Sequence, residues 1–463
     1  MVIAMKKVLC VLLCALLLCT PLFGCQKKDD TKPDDSAKID YTENVLVSQN
    51  FHVSLGMAYY YFQGYYASLQ SYYGDYFKGM TGIDPEKKLK EQSVSDSQTV
   101  FAYFLEQLIR PNLKNMLCLN EAALAAGYEV EDAVMAKAKE EAKTTDLSSL
   151  PYLTQDELLY FTELTTRASY YQMYLQDHYT YTDADYSAYA DEQGDALKTA
   201  QYTRYTIKLS DLDDAAKETL TAKLDALKEL HGYEAFVTGL TALLKELYPV
   251  LTDDQIAQTL ESSTTLSTAA SSDTTLNTWA FEQGRAAGDV TYYKDSAGTS
   301  AVVGCLLRTP YYDESLTVNV RHILALTEQH ESADGARAQA QQWYDAWLAG
   351  EKTEESFAAM AKEKSEDGGS ASGGGLYQNV TPGQMVDAFN NWCFDAARQS
   401  GDTGLVDTSY GTHIMYFSSF GLPRWKAQAR TELIAKDYQK DLAAFSEKYE
   451  LKENEELLNK IDM

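Results

Sequence analysis

The sequence has few basic residues for its length and, beyond its first 25 positions, few cysteines. Its 463 residues include 40 Lys and Arg against 68 Asp and Glu, which gives a formal net charge of −28. Nucleic acids and anionic membranes bind positive surfaces, so this balance argues against both as partners of the folded body. The hydrophobic fraction of 45% is ordinary for a globular protein and argues against wholesale disorder.

Only Cys118, Cys305 and Cys393 lie beyond position 25, and they are far apart in the chain. Their spacing fits neither a metal-binding motif nor a disulfide framework. We therefore expect buried free thiols, no metal and no cofactor.

The first residues read as a targeting segment. Lys6 and Lys7 precede an apolar run at 8–19, which is too short to be a clear membrane span. The following L-F-G-C resembles the lipidation signal of bacterial lipoproteins, in which the cysteine is acylated and becomes the new N-terminus. This resemblance predicts a signal peptide at 1–24, a lipid anchor on Cys25 and a polar spacer at 25–42.

Residues 43–197 are predicted to be helical, because long stretches lack Gly and Pro and apolar residues recur every three or four positions. The chain has 34 tyrosines, concentrated at 59–76 and 152–189. Such side chains suit either a helical core or a surface that binds varied peptides. Residues 424–463 are predicted to form one long amphipathic helix with a short tail.

An internal repeat links the middle segments. Residues 276–300 and 389–413 align without a gap at an offset of 113, and nine of the 25 positions are identical. A repeat of this length indicates a duplicated domain rather than a solenoid unit. The sequence therefore predicts one copy at 198–312 and another at 316–421.

The second copy carries a set of ordered motifs. They are R-H-I-L at 321–324, S-E-D at 365–367, a glycine-rich run at 368–375, G-Q-M-V-D-A-F at 383–389 and G-T-H-I at 411–414. Strand alternation predicts His322 on one face with Val318 and Val320, and His413 on one face with Met415 and Phe417.

These motifs resemble those of the parvulin-type peptidyl-prolyl cis-trans isomerases, whose fold is a four-stranded antiparallel sheet with about four helices. The resemblance implies isomerisation of X–Pro peptide bonds. It assigns a catalytic network to His322, Asp367, Thr408 and His413 and a proline-ring pocket to Leu376, Met385 and Phe389.

Three positions depart from the family pattern. Arg321 stands where Ser usually precedes the first histidine. Gly374-Gly375-Leu376-Tyr377 stands where the family has G-D-L-G, so Gly375 replaces Asp and Tyr377 replaces Gly. The stretch 325–334 is acidic, whereas phosphate-directed members carry basic residues there, so a phosphorylated substrate is not expected.

The first copy is predicted to be a degenerate parvulin-like domain, because it lacks the glycine-rich loop and the matched site residues. We expect these replacements: Tyr205 for His322, Ser300 for His413, Asp295 for Thr408, Leu276 for Phe389 and Ser272 for Met385.

The sequence thus predicts a multidomain α+β protein. A helical chaperone domain at 43–197 would be completed by the helix at 424–463, as in foldases of the PrsA and SurA type. The predicted function is a lipid-anchored extracytoplasmic foldase that acts on unfolded or newly secreted polypeptides containing proline. The alternative is a holdase chaperone with a dispensable isomerase site, and a homodimer is left open. A solute-binding or adhesive lipoprotein has no supporting motif.

Overall fold

The computed structural model describes residues 39–95, 97–210, 212–268 and 274–463. The predicted signal peptide, Cys25 and most of the predicted spacer lie outside these residues. Contacts divide the chain into two units, one formed by residues 39–180 with Ile434–Met463 and the other by Tyr181–Leu433. Within the described ranges, no helix combines the length and apolar character needed to cross a membrane.

Helices and strands are numbered here in chain order. The α-helices are α1 Leu55–Tyr73, α2 Phe77–Thr81, α3 Val100–Phe104, α4 Arg110–Ala125, α5 Asp132–Lys143, α6 Gln155–His178, α7 Asp183–Gln193, α8 Asp214–Lys228, α9 Tyr233–Leu247, α10 Asp253–Ser262, α11 Thr274–Ala280, α12 Ala333–Leu348, α13 Glu354–Lys364, α14 Asp387–Cys393, α15 Arg424–Lys448 and α16 Glu455–Leu458. The strands are β1 Asn44–Val47, β2 His52–Ser54, β3 Ser93–Ser95, β4 Gln98–Thr99, β5 Thr199–Lys208, β6 Thr265–Thr268, β7 Val290–Lys294, β8 Ser300–Tyr311, β9 Leu316–Leu326, β10 Leu376–Val380, β11 Thr403–Asp407, β12 Gly411–Pro423 and β13 Lys452–Glu453.

The first unit is a helical body built around α1, α4 and α6. The side chain of Ser54 caps α1, and Thr154 with Glu157 forms a capping box at the start of α6. Their apolar faces meet in one core, to which the end of α15 adds Tyr438 and Leu442. A small antiparallel sheet in the order β13-β1-β2 and a hairpin of β3 and β4 complete the unit.

The tyrosines of this unit divide between its core and its surface. The buried ones include Tyr60, Tyr65, Tyr103, Tyr152 and Tyr171. By contrast, Tyr72 and Tyr76 are 66% and 78% exposed, and Met80 beside them is also exposed. The tyrosines of this unit are therefore shared between its core and its exposed surface.

The second unit contains two four-stranded antiparallel sheets with the same strand order. The first sheet runs β6-β5-β8-β7 and the second runs β10-β9-β12-β11. One face of the first sheet packs against α8, α9 and α10, and the other packs against α11. The second sheet carries α12 and α13 on one face and α14 on the other. The prediction of a multidomain α+β chain with antiparallel sheets is confirmed.

Helix α7 belongs to the second unit, although the predicted helical domain ran to residue 197. Its Tyr186 and Tyr189 pack with Trp425 and Ala429 at the start of α15. Tyr189 also donates a hydrogen bond to Glu432. Helix α15 thus begins in the second unit and continues into the first.

The two sheets differ in the hairpin that joins their last two strands. Six residues, 295–300, lie between the paired ends of β7 and β8, whereas four, 408–411, lie between those of β11 and β12. The ungapped alignment therefore fails at this turn. Val302, and not the predicted Ser300, occupies the place of His413 in the first sheet.

The pairing of β5 corrects a second predicted replacement. In the second sheet, His322 pairs with Met415. The matching residue of β8 is Gly304, and it pairs with Arg204. Arg204, and not Tyr205, therefore stands where the second sheet has His322.

Candidate active site

Two buried histidines meet on one face of the second sheet. Strands β9 and β12 are neighbours, and alternation points the side chains of His322 and His413 the same way. They are 2% and 6% exposed. Their Nδ1 atoms lie 3.0 Å apart, within hydrogen-bond distance. Strand pairing therefore joins two residues that are 91 positions apart in the chain.

A carboxylate and a hydroxyl group contact the outer nitrogen of His322. Its Nε2 atom lies 3.0 Å from Oδ2 of Asp367 and 3.0 Å from Oγ of Ser370. The hydroxyl of Ser370 donates to the same carboxylate oxygen, as does the hydroxyl of Tyr377 at 3.1 Å. Asp367 is therefore held by three side chains at once.

The charges in this cluster are strongly perturbed. Burial alone would raise the pKa of Asp367, but hydrogen bonds from His322 and Ser370 outweigh it and hold that pKa well below its usual range. Burial, with the neighbouring His322, lowers the pKa of His413 to about 3. Burial and the carboxylate raise the pKa of Tyr377 to about 12. Near neutral pH the site thus holds an anionic Asp367, a neutral His413 and a neutral Tyr377.

Thr408 ends the network on the far side of His413. Its Oγ1 atom lies 3.0 Å from Nε2 of His413 and 3.1 Å from the carbonyl of Gly411. When Thr408 donates to His413, Nδ1–H of His413 donates to His322. Nε2–H of His322 can then donate to Asp367. The hydroxyl of Thr408 can instead donate to the carbonyl of Gly411 and accept from Nε2–H of His413, in which case His322 donates to Nδ1 of His413.

An aromatic wall lines the histidine pair. The ring of Phe389 stands edge-on to both imidazoles, with centroid distances of 5.6 Å to His322 and 5.4 Å to His413. Tyr377 stacks on His322 at 4.9 Å. Half-buried Met385 packs against the same apolar cluster as Phe389. An apolar surface and a polar network thus adjoin each other, as is typical of binding sites for small groups.

The structure brings six of the seven residues predicted for the catalytic network and the proline-ring pocket into this cluster or its apolar wall. The seventh, Leu376, is half-buried at the start of β10, where it pairs with Arg321. Ser370 and Tyr377 were missed, although both contact Asp367. The departure at Tyr377 was a usable signal, since an aromatic residue replaces Gly beside the predicted pocket.

The glycine-rich loop is fixed directly to the backbone of the first histidine. The amide of His322 donates to the carbonyl of Gly375, and the amide of Gly375 donates to the carbonyl of Ser370, both at 2.8 Å. Gly374 and Gly375 have φ angles of 70° and 71°, a region that favours glycine. These bonds carry Ser370 and Asp367 back toward the ring of His322.

The buried neutral His413 predicts acid sensitivity of this domain. Its pKa is depressed when folded, so its contribution to stability is complete above an unfolded-state pKa near 6.5 and is lost as the pH falls toward 3. Between pH 7 and pH 5, the free energy of unfolding of the wild type should fall by about 2 kcal/mol more than that of His413→Gln. Urea denaturation of both proteins at the two pH values measures this, and an equal fall in both would contradict it.

Across the described residues, no group of three or more His, Cys, Asp or Glu side chains could hold a metal ion. Cys393 is buried beneath the apolar wall, and burial raises the pKa of its thiol to about 12. Such a thiol is a poor nucleophile.

The whole chain was compared with curated protein sequences and with solved structures. No curated protein sequence matches the chain. Among solved structures, PrsA of Bacillus cereus aligns with 15% identity and a TM-score of 0.20, covering 88% of this chain and 90% of its own. PrsA of Bacillus subtilis aligns with 16% identity and a TM-score of 0.27, covering 81% and 94%. A structure described among SurA-like chaperones of Campylobacter jejuni aligns with 17% identity and a TM-score of 0.19, covering 70% and 93%.

A family model gives the more specific match. The model of the PPIC-type PPIASE domain covers residues 309–418, which include both histidines, Asp367 and all of the second sheet except the last five residues of β12. The resemblance found in the sequence motifs is thereby confirmed for this segment. The chain contains a PPIC-type peptidyl-prolyl isomerase domain.

Proposed function

We propose that this protein is an extracytoplasmic foldase, anchored through a lipid on Cys25, that catalyses cis-trans isomerisation of X–Pro bonds in secreted polypeptides. The convergence of His322, His413 and Asp367 beside the ring of Phe389, inside the matched domain, carries the proposal.

The chemistry needs no covalent step. Rotation about the peptide bond faces a barrier of roughly 18–20 kcal/mol, because C–N resonance is lost in the twisted state. An enzyme lowers this barrier by holding the twisted amide in a fixed polar environment that favours it over the planar one. Phe389 and Met385 would hold the prolyl ring. The network of His322, Asp367 and Thr408 would supply the polar groups already in position.

We further propose that residues 198–312 form a degenerate copy of the same domain. The shared strand order of the two sheets supports a common origin. Arg204 and Val302 at the histidine positions would remove the catalytic network. Helix α10 stands before β6, where the second copy has its glycine-rich loop. Of the remaining predicted replacements, Asp295 for Thr408 and Leu276 for Phe389 stay part of this proposal, and Ser272 lies outside the described residues.

The remaining domains would receive client chains. We propose that the helical first unit, residues 43–180 with residues 434–463, is a chaperone domain whose partners are unfolded or newly secreted polypeptides. Exposed Tyr72, Tyr76 and Met80 support this, since amphipathic side chains contact varied peptides without a strict sequence. The proposal does not require a homodimer.

The enzymatic function is tested by replacing both histidines in the full chain. The cis-to-trans rate of a short X–Pro peptide should be accelerated by the wild type, and His322→Ala with His413→Ala should return it to the uncatalysed value. The matched control is His178→Ala with His231→Ala, two exposed histidines outside the site, which should keep the wild-type rate. Equal rates for the wild type and the site variant would rule out an active site here.

The same variants separate the foldase from a holdase. If the site variant is inactive as an isomerase but still suppresses aggregation of a denatured client, chaperoning is independent of catalysis. Circular dichroism must show that this variant remains folded. If it also slows refolding of a client limited by proline isomerisation, the enzyme contributes to folding itself.

A further inference from the structure

Arg321 holds the glycine-rich loop from the side of the sheet opposite the histidines. It precedes His322 on β9, so alternation sends its side chain to the other face. Its Nη1 atom donates to the carbonyls of Gly374 and Gly373 at 3.0 and 3.2 Å. The guanidinium is mostly buried, with 17% of the side chain exposed.

These carbonyls belong to a tight turn that begins at a site residue. A single 3₁₀ turn spans Ala371–Gly373, immediately after Ser370. The amides of Gly373 and Gly375 both donate to the carbonyl of Ser370. A cation bonded to the end of this turn therefore fixes the position of Ser370, whose hydroxyl contacts both His322 and Asp367.

Glu354 fixes the guanidinium in turn. Its Oε1 atom accepts from Nε of Arg321 at 2.8 Å and from the hydroxyl of Ser418 at 2.9 Å. Glu354 is the first residue of α13, where the helix dipole stabilises a negative side chain. The chain of contacts thus runs from a helix terminus, through Arg321, to the loop that carries Asp367.

We propose that Arg321 is a positioning residue for isomerisation, which sets Ser370 and Asp367 against the imidazole of His322. The inference rests on the proposed function and adds a residue that touches neither the pocket nor the histidine rings. It also accounts for the departure from the family's usual Ser. The planar guanidinium can bond a carboxylate through one edge and two carbonyls through another, which serine and lysine cannot do.

The test compares Arg321→Met in the wild type and in Asp367→Asn. If Arg321 acts through Asp367, Arg321→Met should lower kcat about 10-fold with KM changed less than about twofold. In the Asp367→Asn background, the same change should lower kcat less than about twofold, because the positioned carboxylate is already lost. Arg321→Lys should recover only part of the loss.

A burial-matched control is Arg398→Met. Arg398 is 16% exposed, stacks on Trp392 and lies outside the cluster. Arg398→Met should lower the melting temperature, and it should change kcat by the same factor in the wild-type background as in the Asp367→Asn background. Glu354→Gln is the milder second variant and should lower kcat in the same direction as Arg321→Met.

Three outcomes would overturn the proposal. A wild-type chain without activity would remove the proposed function as well. An active wild type whose Arg321→Met and Glu354→Gln variants keep kcat would remove the positioning role alone. Equal losses of kcat in both backgrounds would show that Arg321 acts on stability and not through Asp367.

Discussion

Deletion of residues 452–463 is expected to unfold the first unit while the isomerase domain stays folded. The segment buries Leu457, Leu458 and Ile461, which are 2%, 1% and 0% exposed. At about 1.5–3 kcal/mol for each buried side chain, their loss removes on the order of 5–9 kcal/mol. A domain typically has only about 5–15 kcal/mol of net stability.

Backbone and charge contacts add to this loss. Strand β13 pairs with β1, and the amide of Leu89 donates to the carbonyl of Met463 at 2.6 Å. Glu453 forms ion pairs with Arg110 and Lys114 while only 12% of its own side chain is exposed. Deletion therefore removes the carboxylate partner that Arg110 and Lys114 share, and it leaves one edge of the small sheet, at β1, without its paired strand. Removal of one partner of a mostly buried pair is costly.

Calorimetry of the full and shortened chains provides the measurement. The shortened chain should lack one thermal transition and should isomerise a short peptide at the wild-type rate, since the catalytic network lies at residues 322–413. The triple change Leu457→Ala, Leu458→Ala and Ile461→Ala separates side-chain burial from the backbone contacts. Leu124→Ala, at a residue 54% exposed, is the control. A shift of only a few degrees on deletion would contradict the prediction.

The sequence predicted the core of the site because its distances follow from strand geometry. Alternation placed His322 and His413 each on one face of a strand, and adjacent antiparallel strands then bring those faces together. The motif resemblance supplied Asp367, which no periodicity could have located. That resemblance is confirmed by the family match over residues 309–418.

The contacts of the loop could not be predicted from residue patterns. Ser370 and Tyr377 reach Asp367 only because consecutive glycines with positive φ fold the loop back onto β9. Many backbone paths are open to a glycine-rich run, so its composition indicates a turn without fixing which side chains converge.

The register of the first sheet was mispredicted for a related reason. Three of the four residues at 296–299 are identical to those at 409–412, and these identities favoured an alignment without a gap through the hairpin. Those residues have local roles in the turn: Thr299, for example, donates to Asp295. Turn chemistry can recur in hairpins of different length, and the pairing of the strands on either side decides which residues match.

The glycine-rich loop, whose contacts could not be predicted, is also where one added methyl group should lower activity and stability most. Gly375→Ala is expected to lower kcat/KM about 100-fold and the free energy of unfolding of the isomerase domain by about 3 kcal/mol. A Cβ atom at Gly375 would lie 2.1 Å from the carbonyl oxygen of His322, and the φ of 71° is itself unfavourable for alanine. The hydrogen bond from the amide of His322 to the carbonyl of Gly375 would have to break.

Gly373→Ala is the matched control, because it lies two residues away in the same loop. A Cβ atom there meets nothing within 4 Å, and its φ is not in the left-handed region. Its stability and kcat/KM should stay close to wild type, measured by urea denaturation and the X–Pro peptide assay. Since both changes add the same methyl group, a selective loss in Gly375→Ala would assign the effect to the contact with His322. If the two variants had equal stability and equal kcat/KM, the loop could shift without moving the imidazole. The prediction that the loop backbone holds His322 in place would then be wrong.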